Sequence, residues 1–124
     1  MAKILLVDDD AAVLKMLSKT LQRGQHEIIT ATNGEEALEI ITNHSNRIDL
    51  IITDIVMPRR VGLYVIRTVK QTNPHLKIIA ISGGGLEGPT AYLEAAQTHG
   101  ADYVFQKPIK PEELLDKITE LVAK

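Results

Sequence analysis

Ile4-Leu5-Leu6-Val7-Asp8-Asp9-Asp10 sets four unbroken aliphatic residues directly before three carboxylates. A run of that length without polar alternation fits a strand buried on both faces. Leu50-Ile51-Ile52 and Ile78-Ile79-Ala80-Ile81 read the same way. Glu27-Ile28-Ile29-Thr30-Ala31 and Asp102-Tyr103-Val104-Phe105 are shorter or more polar, as edge strands are. Helical spacing fills the gaps between these runs. Leu14, Leu17 and Leu21 share one face, and Ala37, Ile40 and Ile41 share another, opened by Asn33-Gly34. Leu63, Ile66 and Val69 make a third. Ala91-Tyr92 and Ala95-Ala96 make a fourth, closed by Gly100. Leu114-Leu115, Ile118 and Leu121-Val122 make a fifth, with Pro111 at its start, where proline is tolerated.

The order is β-α five times over, which means an α/β domain with a parallel sheet and helices on both faces. The pattern consumes all 124 residues, so a single domain over 1–124 with no output domain is expected. With 44% apolar residues but only 3% aromatic, the core must be aliphatic. The lack of cysteine excludes disulfides, thiolate metal sites and a cysteine nucleophile. A net charge of −2 with both signs interspersed argues against nucleic acid as a partner. No apolar run approaches the roughly 20 residues of a membrane span, and the first run is too short for a signal peptide. A cytoplasmic protein without membrane contact is expected.

In an open parallel α/β sheet, function gathers outside the carboxyl ends of the strands. The first strand is followed by Asp8-Asp9-Asp10, the third by Asp54, the fourth by Ser82 and the fifth by Lys107. Four segments thus deliver carboxylates, a hydroxyl and an ammonium to one end of the sheet. Carboxylates a few ångströms apart repel by roughly 4 kcal/mol per pair at an effective dielectric near 20. A hard divalent cation offsets that, and Mg²⁺ commonly takes one or two carboxylates, waters and a phosphate. A cation, a lysine and a hydroxyl around one carboxylate are the parts needed for phosphoryl transfer onto Asp54. Asp10 reads differently, as the cap or first turn of the first helix. His26, His44, His75 and His99 lie at segment ends without ligand spacing. Gly83-Gly84-Gly85 lacks the lysine of a phosphate-binding loop and reads as a mobile loop.

These segments, with Ile52-Thr53-Asp54-Ile55-Val56-Met57-Pro58, Ile81-Ser82-Gly83, Gly100-Ala101-Asp102 and Lys107-Pro108, resemble the receiver domain of bacterial two-component response regulators, of the single-domain chemotaxis-regulator kind. The resemblance covers essentially the whole chain. It implies a flavodoxin-like fold of strand order 2-1-3-4-5. It implies a stand-alone response regulator whose Asp54 is phosphorylated by a histidine kinase or a histidine phosphotransfer protein. Asp9, Asp54 and the backbone carbonyl of Val56 would bind Mg²⁺ (or Mn²⁺), with Asp8 helping through water. Ser82 and Lys107 would contact the phosphoryl oxygens, and the Lys107-Pro108 bond would be cis. Such a protein is not an enzyme with an outside substrate; it promotes only its own phosphorylation and dephosphorylation. Ala12, Val13, Met16 and Pro108 would meet the phosphodonor, and the surface carrying Tyr92, Tyr103 and Phe105 would meet an unknown downstream protein. A monomer or weak dimer is expected.

Three features depart from that family. The position three before the lysine, usually Tyr or Phe, is Val104, and Tyr103 one residue earlier points to the opposite face. The interval from Ser82 to Lys107 is longer by about one helical turn, with the surplus in Gly83-Gly84-Gly85-Leu86-Glu87-Gly88-Pro89. Arg59-Arg60-Val61-Gly62 lacks the acid common before the glycine. Rival readings fare worse. An aspartyl phosphatase or mutase wants a general acid two residues after its nucleophile, where this chain has Val56. A flavin-binding protein wants hydroxyls and glycines in the first loop, where Asp8-Asp9-Asp10 would repel the flavin phosphate. A degenerate receiver would not keep Asp8, Asp9, Asp54, Ser82 and Lys107 together.

Overall fold

The computed structural model describes residues 2–44, 48–54, 61–82, 100–106 and 109–122. Its elements are β1 (Lys3–Val7), α1 (Ala11–Arg23), β2 (Glu27–Ala31), α2 (Gly34–His44), β3 (Leu50–Asp54), α3 (Val61–Thr72), β4 (Lys77–Ser82), β5 (Tyr103–Gln106) and α4 (Pro111–Val122). The helical stretch expected around Ala91-Tyr92 and Ala95-Ala96 lies outside the described residues. The five strands form one parallel sheet in the order β2-β1-β3-β4-β5, the flavodoxin-like order expected.

The unbroken aliphatic runs occupy the centre because each neighbouring pair of side chains has a core to enter on either face. All five residues of β3 are buried. Leu5, Val7, Ile51, Ile78 and Ala80 enter one core with Ala37 and Ile41 of α2 and Val65, Ile66 and Val69 of α3. Ile4, Leu6, Leu50, Ile52, Ile79 and Ile81 enter the other with Leu14, Leu17 and Leu21 of α1 and Leu114 and Ile118 of α4. Each such side chain contributes roughly 1.5–3 kcal/mol on burial. The more polar strands, β2 and β5, take the two edges. Among the described residues no helix is long and apolar enough to cross a membrane.

Local chemistry sets the helix ends. Asn33 Oδ1 accepts from Glu36 N–H at 2.8 Å, and Glu36 Oε1 accepts in return from Thr32 N–H at 3.3 Å. Asn33-Gly34 is therefore the start of α2. α1 ends where Gln25 enters the left-handed region at φ 65° and His26 N–H bonds back to Leu21 O at 3.1 Å. At the opposite edge of the sheet, Asp102 Oδ2 accepts from both Lys70 Nζ and Ile78 N–H at 2.8 Å. Lys70 Nζ also donates to Leu76 O at 3.1 Å. This knot ties the end of α3 to the starts of β4 and β5. Gly100 lies against it at φ 119°, where an added Cβ would come within 2.7 Å of Lys70 Cγ.

The turn after α1 contains a titrating group. His26 Nδ1 accepts from Ala2 N–H at 3.1 Å, a bond that needs this nitrogen unprotonated and so favours the neutral ring. Burial holds its pKa below the usual histidine value of 6.5. The unfolded chain therefore takes up a proton before the folded one does. Stability from this group is complete above about pH 6.5 and falls as the pH drops toward the lowered folded value. Urea unfolding should show that loss as the pH falls below about 6.5. His26→Asn, whose side-chain oxygen can still accept from Ala2 N–H, should lose most of the pH dependence in that window.

Candidate phosphoacceptor site

Parallel register brings the carboxyl ends of the strands to one edge. Val7 lies opposite Thr53, so Asp8 and Asp54 each follow directly from paired residues of adjacent strands. Asp54 in turn lies opposite Ile81, and Ser82 opposite Gln106, the residue before Lys107. Asp8 is 1% exposed and Asp54 5%, while Asp9 is exposed. One carboxylate oxygen from each of Asp8, Asp9 and Asp54 lies within 4.8 Å of the others.

Three consecutive acids take three roles here. Asp8 N–H continues the ladder to Ala31 O at 3.1 Å, and Asp8 Oδ1 accepts from Asp10 N–H at 2.9 Å, which fixes its carboxylate inward. Asp9 follows at the rim of the cluster. Asp10 turns away and caps α1, its Oδ1 accepting from Ala12 N–H at 2.9 Å and Val13 N–H at 3.4 Å. Asp10 is thus the cap of α1 that its place in the sequence implies.

Three carboxylates at this separation repel by about 3 kcal/mol per pair at an effective dielectric near 20. Oxygens on opposite sides of an octahedral Mg²⁺ stand about 4.2 Å apart, twice the usual metal–oxygen distance. The cluster is therefore near the size one such ion needs, and its donor set is all oxygen. Two of the donors are buried and one is exposed, so an ion would keep access to solvent.

The Val56 carbonyl, the Ser82 side chain, Lys107, Pro108 with the bond before it, and Tyr92 lie outside the described residues or side chains. Ala12, Val13 and Met16 open α1 beside the cluster. Ala12 is exposed, Val13 is half-buried against the core under α1 and α4, and Met16 is 55% exposed. Tyr103 and Phe105 share one face of β5, with ring centroids 4.9 Å apart in an edge-to-face pair. Phe105 belongs to the core, so the ring that this face offers to a partner is Tyr103. Val104 packs against the opposite core, beneath α2 and α3, as strand alternation required. The sequence reading did not single out Lys117, whose Nζ stands 4.2 Å from the Tyr103 ring centre. Only the docking of α4 on β5 reveals that contact.

A doubly wound sheet with an acid cluster at the ends of its first and third strands offers an all-oxygen donor set suited to a hard cation. Comparison with known proteins makes the assignment specific. The model of the response regulator receiver domain matches residues 4–119. Response regulator MprA of Mycobacterium sp. (strain KMS) is 36% identical over 121 residues, which is 97% of this chain and 50% of that protein. The same protein of Mycobacterium leprae (strain TN) gives the same figures of 36%, 97% and 50%. The chain thus spans about half the length of the curated relatives it matches. Among solved structures, a receiver domain protein from Clostridium thermocellum superposes with a TM-score of 0.90 at 31% identity, over 98% of this chain and 94% of that one. CheY in the CheX-CheY-BeF3-Mg²⁺ complex from Borrelia burgdorferi gives a TM-score of 0.87 at 27% identity, covering 99% and 90%. This chain belongs to the response regulator receiver domain family and thereby to two-component signalling.

The split of roles among the three acids is open to test. Asp10→Ala should lower stability by about 1 kcal/mol through the lost cap and leave Mg²⁺ binding unchanged. Urea unfolding and a Mg²⁺ titration followed by calorimetry report the two effects separately.

Proposed function

We propose that Asp54 accepts a phosphoryl group from a histidine kinase or a histidine phosphotransfer protein, with Mg²⁺ or Mn²⁺ held by Asp9, Asp54 and the Val56 carbonyl, and by Asp8 through water. The observation that carries this reading is the 4.8 Å cluster of Asp8, Asp9 and Asp54, with Asp54 at the end of the central strand. An Asp54 oxygen attacks phosphorus, the bond from phosphorus to the donor imidazole breaks, and the imidazole leaves with its electron pair and takes a proton. The cation, when bound, neutralises charge building on the phosphoryl oxygens. Ser82 and Lys107 are assigned the remaining oxygens, as hydroxyl donor and point charge. Burial of Asp54 keeps bulk water from the acceptor and strengthens each of these interactions.

Ala12, Val13, Met16 and Pro108 are assigned to the phosphodonor's surface. Output is assigned to protein contact involving Tyr92 and Tyr103; Phe105, expected with them, is buried in the core. The reading is of a signalling acceptor acting on itself, in the cytoplasm where the donor's ATP is.

Acetyl phosphate with Mg²⁺ should add one phosphoryl group, seen by intact mass, and Asp54→Asn should take up none. Full labelling of that variant, or of the parent in excess chelator, would remove the assignment.

A further inference from the structure

Charge on the α1–α4 side of the molecule is divided by helix. The outward row of α1 is Lys15, Lys19 and Arg23, spaced four apart and all exposed, and α1 contains no acid. The outward row of α4 starts with Glu112 and Asp116, also four apart and exposed. None of these five makes an ion pair with another described residue, whereas Lys3 pairs with Glu27, Lys70 with Asp102 and Lys117 with Glu120. The two helices are neighbours over one core. Gly24, just past α1, lies so close to α4 that an added Cβ would come within 2.7 Å of Leu115 Cδ2.

A basic row beside an acidic row on one surface is self-complementary under a two-fold rotation. Two orientations of that axis are possible in the plane of the helices. An axis across them lays α1 on α1 and α4 on α4, so like charges meet. An axis along them lays the α1 of one copy on the α4 of the other, so opposite charges meet twice. We infer that this face associates with a second copy of the same chain, α1 against α4, about an axis running along the helices. Such an axis preserves height, so the stagger set by Gly24 and Leu115 brings Lys19 and Arg23 of one copy alongside Glu112 and Asp116 of the other. Leu115 is half-buried and contributes little apolar area between the rows. The contact is therefore weak and sensitive to salt. It is independent of phosphoryl transfer at Asp54.

Sedimentation velocity tests the inference with two charge-reversed chains, Lys19→Glu/Arg23→Glu and Glu112→Lys/Asp116→Lys, each checked for folding by circular dichroism. The parent should associate with rising concentration at about 20 mM NaCl and weaken by about tenfold or more at about 500 mM. Each variant alone should remain monomeric, because its two rows then have the same sign. An equimolar mixture should regain the parent's association, since both contacts between the two kinds of chain are again between opposite charges. A parent monomeric at every concentration in low salt, an association that high salt strengthens, or a mixture that stays monomeric would overturn the inference.

Discussion

Asp8, Asp9 and Asp54 hold carboxylate oxygens within 4.8 Å of one another, two of them on almost wholly buried residues. Left alone, such groups move apart or take up protons. Asp8 and Asp54 are carried by the most rigid part of the molecule, and Asp9 follows at its rim. Asp54 ends a strand buried along its whole length, and Asp8 continues β1 by a backbone bond to Ala31 before its side chain binds Asp10 N–H. The aliphatic cores on both faces of the sheet supply stability against which a repulsion of a few kcal/mol can be held. The repulsion among these acids is thus set by the fold, and a cation or phosphoryl group held there would act on it directly.

The sheet was legible in the sequence because a strand buried on both faces needs an unbroken aliphatic run, and three such runs stand out from a chain with hardly any aromatic residues. The edge strands were legible by contrast, since Glu27 and Thr30 would be costly at its centre. Turn chemistry marked the start of α2 at Asn33. The acid cluster could be anticipated because it needs only strand ends and topology. Contacts between residues far apart in sequence were not legible. Nothing near Lys70 announces Asp102, and nothing near Tyr103 announces Lys117. Phe105 shows the same limit. Alternation placed it on the face of Tyr103, but its burial depends on how α4 and the core beneath it close over the strand.

The departure at Val104 changes how a signal could leave the site. A valine packed, partly buried, against the core under α2 and α3 has no ring to swing between buried and exposed positions. The exposed aromatic of β5 is Tyr103, on the other face, held edge-on by Phe105 and capped by Lys117. Rearrangement of β5 relative to α4 would change the presentation of that ring and its cation together. The Lys70–Asp102 knot anchors the end of β4 and β5 far from the acid cluster.

The central claim is that the three carboxylates are poised in mutual repulsion for a hard cation. Thermal unfolding of the parent and of Asp9→Asn, each with and without Mg²⁺, tests it most directly. The parent's midpoint should rise with Mg²⁺, as ligand binding to the folded state requires. Without metal, Asp9→Asn should unfold at a higher temperature than the parent, and Mg²⁺ should no longer raise its midpoint. A parent indifferent to Mg²⁺, together with an Asp9→Asn chain less stable than the parent, would contradict the claim.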